Sequence, residues 1–100
     1  MARLDLEFTA RFKRDYKAMA RRRDVAPLRE VFELIARNDL AARDELLRRH
    51  NMHRLSGRWA GSNECHVCNV GDWLLVWAVR DGVAVLQRTG THDEIFGRYR

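Results

Sequence analysis

Trp73 to Val79 is the longest uninterrupted apolar run in the chain, seven residues without a polar break. A membrane helix needs about 20 such residues, so this run does not read as a span. A strand that is apolar on both faces must be covered on both. The run therefore predicts a central strand with material packed on each side. Arg80-Asp81-Gly82-Val83 follows it, and Asp-Gly tolerates the positive φ of a tight hairpin. Val83 to Thr89 should then return antiparallel.

The front half supplies the cover. Leu4-Asp5-Leu6-Glu7-Phe8 alternates apolar and acidic residues, as a half-buried strand does. Thr9 can cap a helix by accepting from a first-turn amide. Phe8, Phe12, Tyr16 and Met19 recur at helical spacing and predict its buried stripe. Pro27 suits the first turn of a second helix, with Leu28, Val31, Phe32 and Ile35 as its apolar face and Asn38 as its stop. Residues 39–50 have room for a short helical piece, without a firm assignment. Leu55-Ser56-Gly57-Arg58 is expected to begin the sheet proper, Trp59-Ala60-Gly61-Ser62 to turn, and Asn63 to Val67 to form the next strand. His92 to Phe96 reads as one closing helical turn. The fold class is α+β: an N-terminal strand and an αα-hairpin packed on an antiparallel sheet. One hundred residues support one apolar core and not two, so residues 1–100 are expected to form a single domain.

The formal net charge is +5, and thirteen of the nineteen Lys and Arg lie in residues 1–50. A polyanion such as RNA is the natural partner of that surface. Two cysteines and a charged start, Met1-Ala2-Arg3-Leu4-Asp5, with no apolar signal core, predict a reducing cytoplasmic setting and no membrane partner.

The back half holds three of the four histidines in play: His53, His66 and His92, with Asp72 and Arg88 between them. RNA can be cleaved by attack of its own 2′-hydroxyl. That reaction needs a base for the hydroxyl proton, an acid for the departing 5′-oxygen and cations for the phosphate charge. Imidazole serves both proton roles near neutral pH, and the planar guanidinium matches two phosphate oxygens. These five residues supply the set with no cofactor and no metal. Phe96 lies where an aromatic ring could stack on a base.

The ordered set His53-x-Leu55-x-Gly57, Glu64-Cys65-His66, Asp72-Trp73-Leu74-Leu75-Val76 and Arg88-Thr89-Gly90-Thr91-His92-x3-Phe96 resembles the YafQ branch of the RelE/ParE toxin superfamily. Phe12-Lys13-Arg14-Asp15 resembles the family's opening. The resemblance implies a type II toxin, an endoribonuclease that enters the A site of the 70S ribosome and cuts mRNA there. It also implies a cognate antitoxin, of the ribbon-helix-helix type, laid over the basic helices or the site of a monomeric toxin. The implied catalytic positions are His53, His66, Asp72 and His92, with Arg88, Trp73 and Phe96 contacting RNA or its phosphates. We assign His92 as general acid, His53 or Asp72 as base, and His66 as the group that orients the scissile phosphate.

The chain departs from the family pattern in two places. Asn51-Met52 replaces an Arg-Asp pair before His53, and the segment Val67-Cys68-Asn69-Val70-Gly71 before Asp72 is longer than usual. Two rival readings stay open. One is a module that binds RNA, ribosome or antitoxin without cutting. The other is a zinc-stabilised domain in which Cys65-His66-Val67-Cys68 joins His53 or His92. If residues 63–68 form a strand, Cys65 and Cys68 point to opposite faces and His66 sides with Cys68, which favours free thiols.

Overall fold

A computed structural model describes residues 2–69 and 71–97. In chain order it has β1 (Asp5–Phe8), α1 (Ala10–Ala20), α2 (Ala26–Arg37), α3 (Leu40–Arg49), β2 (His53–Arg54), β3 (Asn63–His66), β4 (Leu74–Arg80), β5 (Val83–Gly90) and α4 (His92–Phe96). The sheet order is β1-β5-β4-β3-β2. β1 pairs parallel with β5, and every other pairing is antiparallel, so the sheet is mixed rather than antiparallel throughout. None of the described helices is long and apolar enough to cross a membrane.

β4 sits at the centre, and its side chains divide as the pleat requires. Leu75 and Trp77 enter the main core together with Trp73, which immediately precedes the strand. Leu74 and Val76 enter a second, smaller cluster on the other face, closed by Ile95 of α4. The two-residue link Asp81-Gly82 turns with φ of 52° and 77°, the left-handed pair that a two-residue hairpin uses.

The main core lies under the helices. Thr9 caps α1 by accepting from the Phe12 amide at 3.0 Å. Phe12 and Met19 are buried, while Phe8 stays partly exposed with its ring 5.5 Å from both Phe12 and Phe32. Pro27 lies in the first turn of α2, which ends on Asn38 in the left-handed region at φ 52°. Leu28, Val31, Leu34, Ile35 and Ala36 form its buried side.

Two segments differ from the sequence expectation. Residues 39–50 hold a ten-residue helix, α3, capped by Asp39 accepting from the Ala42 amide at 2.7 Å. Only Ala42 and Leu46 of α3 are buried, so its apolar stripe is too thin to stand out in the sequence. Leu55–Arg58 does not begin the sheet. The strand is His53–Arg54, and Gly57–Trp59 form a 3-10 turn that places Leu55 and Trp59 against the smaller core.

Candidate active site

Antiparallel register explains why residues far apart in sequence meet. His66 is paired with Leu74, and Leu74 with Gly90, so the end of β3 and the end of β5 lie in one row across the sheet. Just past that row, Thr91 caps α4 by accepting from the Glu94 amide while Glu94 accepts from the Thr91 amide. Gly90 has φ 153°, and a Cβ there would stand 2.8 Å from Glu94 Oε1, so glycine is what lets this capping box close. His92 is thereby fixed in the first turn of α4.

Asp72, at the entrance to β4, takes two kinds of hydrogen bond from that turn. Its carboxylate accepts from the His92 amide at 3.1 and 3.2 Å and from His92 Nδ1 at 2.7 Å. A carboxylate accepts only, so Nδ1 carries the hydrogen and Nε2 is the nitrogen left to exchange a proton. The His66 ring lies 6.2 Å from that of His92, centroid to centroid, at 60°. Phe96 stands 6.4 Å from His92 and packs edge-on to Trp59.

His53 is opposite Glu64 in the β2–β3 pair, diagonal to His66, and such neighbours are roughly 7–8 Å apart. Its Nδ1 lies 2.9 Å from the Asn51 carbonyl and its Nε2 lies 3.1 Å from Glu64 Oε1. Both ring nitrogens therefore face acceptors. The His66 ring, by contrast, has no hydrogen-bond partner among the described residues.

The fourth histidine belongs to this architecture, which no spacing in the sequence announces. His50 closes α3 and grips the backbone of His66 twice. Its carbonyl accepts from the His66 amide, and its Nδ1 donates to the His66 carbonyl, each at 2.8 Å. Asp15 was likewise hidden until α1 met β5.

Two residues expected to contact RNA are engaged within the protein. Trp73 is completely buried, and its indole N–H donates to Thr89 Oγ1 at 3.0 Å, so it has no surface to offer RNA. Arg88 has 12 % of its side chain exposed. Its Nε donates to Asp15 at 2.7 Å, and its terminal nitrogens donate to the carbonyls of Glu94 and Ile95. Arg88 thus ties α4 to α1 and satisfies carbonyls at the end of a helix.

The cysteines also sit differently. β3 ends at His66, and the chain bends over residues 67–69. Cys65 lies in the main core and Cys68 packs against it, whereas the His66 ring contacts His92. The strand that would have separated the two thiols stops before Cys68. Burial, and then the neighbouring Glu64 charge, pushes the Cys65 thiol well above its ordinary range, so it stays protonated and inert. Among the described residues, no group of three His, Cys, Asp or Glu side chains is placed to hold a metal ion.

The whole arrangement has close parallels. The chain is 32% identical to the mRNA interferase toxin YafQ of Escherichia coli K12 over 98 residues, covering 97% of this chain and all of that one. Its fold superposes on the crystal structure of YafQ from Escherichia coli BL21(DE3) with a TM-score of 0.79 at 30% identity, covering 94% of this chain and 99% of that one. The YafQ chain in the Escherichia coli DinJ–YafQ toxin–antitoxin complex gives 0.77 at 31% identity, covering 95% and 99%. The model of the YafQ family, bacterial toxins of type II toxin–antitoxin systems, matches residues 4–97. With that match spanning nearly its whole length, the chain belongs to the YafQ family of bacterial type II toxins.

Proposed function

We propose that residues 1–100 form a single toxin domain that cuts mRNA at the ribosomal A site, without a metal, and is neutralised by a cognate ribbon-helix-helix antitoxin. The observation that carries this reading is the His92–Asp72 pair, 2.7 Å apart, with a second imidazole 6.2 Å away. Two imidazoles at that spacing can flank one phosphodiester.

In the first half of the reaction His66 takes the 2′-hydroxyl proton and O2′ bonds to phosphorus. In the second, the P–O5′ bond breaks and His92 Nε2 gives its proton to O5′. The products are a 2′,3′-cyclic phosphate and a 5′-hydroxyl. Asp72 holds His92 in the tautomer and orientation this requires. Its oxygens are occupied by His92, and both nitrogens of His53 face protein acceptors, so the base role falls to His66. His53 lines the same face, beside the phosphate path, and Phe96 offers its ring to a base.

The test is incubation of the purified protein with translating ribosomes, with new RNA ends mapped by primer extension. New ends should form, and His92→Ala should lower their rate roughly a hundred- to ten-thousand-fold. Ribosome binding without new ends would overturn the enzymatic reading.

A further inference from the structure

Beside the proton-transfer pair is a recess of about 360 Å³ lined by Met19, Arg22, Arg23, Asp72 and Thr91. One wall is Asp72 and the residue before His92. The other is the basic turn after α1, and that turn is ordered: the amides of Arg22 and Arg23 both donate to the Met19 carbonyl, at 2.9 and 3.0 Å. Arg22 is paired with Glu94 at 3.3 Å. Arg23 has no carboxylate within ion-pair distance among the described residues. Its guanidinium carbon lies 4.2 Å over the centre of the Trp73 ring, and one of its terminal nitrogens lies 3.6 Å from Cys68 Sγ.

Building on the proposed ribonuclease reading, we propose that Arg23, laid on Trp73, binds the RNA phosphate next to the scissile one. A guanidinium held over an indole loses little freedom on meeting an anion, and the donors not turned to Cys68 remain to meet one. The recess opens onto Asp72, whose own negative charge would repel RNA; a cation on the facing wall offsets it where the backbone must pass. This also gives Trp73 a role without RNA contact, as the platform that positions Arg23. Arg22 is held back by Glu94 and completes the positive wall.

The probe is a short 2′-O-methyl RNA, which keeps every phosphate and lacks the attacking hydroxyl. Its affinity is measured by fluorescence anisotropy across a salt series. Losing one phosphate contact on a single strand should reduce the slope of log K against log salt by about 0.7. Arg23→Gln should show that fall, and so should Arg23→Met, which keeps an unbranched stem on the indole. Arg23→Lys should retain the slope. Arg80→Gln, at the far end of β4 from the site and about 20 Å away along the strand, should leave it unchanged. The probe has no attacking hydroxyl and cannot be cut, so a failure of the cleavage mechanism would not register here. A native slope in folded Arg23→Gln, or an equal fall in Arg80→Gln, would overturn the proposal.

Discussion

The two faces of the sheet are built for different purposes. Under the helices, a continuous cluster runs from Phe12 through Leu28, Val31, Leu46, Leu75, Trp77 and Leu86. On the other face the buried apolar cluster among the described residues is Leu74, Val76 and Ile95, with Leu55, Trp59 and Phe96 packed at the margin. The first face carries most of the apolar burial, and therefore most of the stability. The second holds a five-residue helix in place and leaves imidazoles at the surface. A chemical site needs exposed polar groups held rigidly, and here a large core on one side permits a thin one on the other.

Four substitutions separate the faces. Leu75→Ala removes a fully buried side chain from the larger core and should cost about 3–4 kcal/mol in chemical denaturation. Its cleavage rate per folded molecule should stay native. Ile95→Ala should cost roughly 2 kcal/mol, since its cluster is smaller and can partly collapse. It should nevertheless lower cleavage on the order of ten- to a hundredfold, because α4 carries His92. A loss of activity in Leu75→Ala equal to that in Ile95→Ala would erase the contrast.

Gly90→Ala sets a Cβ against Glu94 at a φ that favours glycine, and should cost about 1–2 kcal/mol with a partial loss of cleavage. The smallest effect is a pH dependence. The hydrogen bond from the Thr91 amide, aided by Arg22, holds the Glu94 carboxyl below the ordinary carboxylate range. A depressed pKa adds stability above the unfolded value of about 4.3, and that stability is lost as pH falls through the folded value. The stability gap between the native chain and Glu94→Gln should therefore be widest near neutrality and shrink as pH drops below about 4. A gap that widens in acid would contradict the capping role.

What could be read from the sequence was what is decided locally. The double-faced run of β4, the Asp81-Gly82 turn, the Thr9 cap, Pro27 in the first turn and the Asn38 stop each rest on neighbours a few residues away. The parallel pairing of β1 with β5 joins residues such as Asp5 and Val83, and no local pattern encodes it. α3 was faint because two buried residues make a weak period. At the site, residue type named His66, Asp72 and His92, and the structure gathers them at one row of the sheet. The partners of Arg88 and Trp73 were not legible, because a guanidinium or an indole looks the same in sequence whether it faces solvent or Asp15 and Thr89. His50 escaped notice because its backbone grip on His66 depends on α3 ending beside β3.

The most direct measurement compares single-turnover cleavage rates for His66→Ala, His92→Ala and the double variant, each shown to be folded. Acid and base act on one phosphodiester, so the double variant should be about as slow as the worse single one. Native cleavage by folded His66→Ala or His92→Ala would contradict the claim that these two rings share the chemistry.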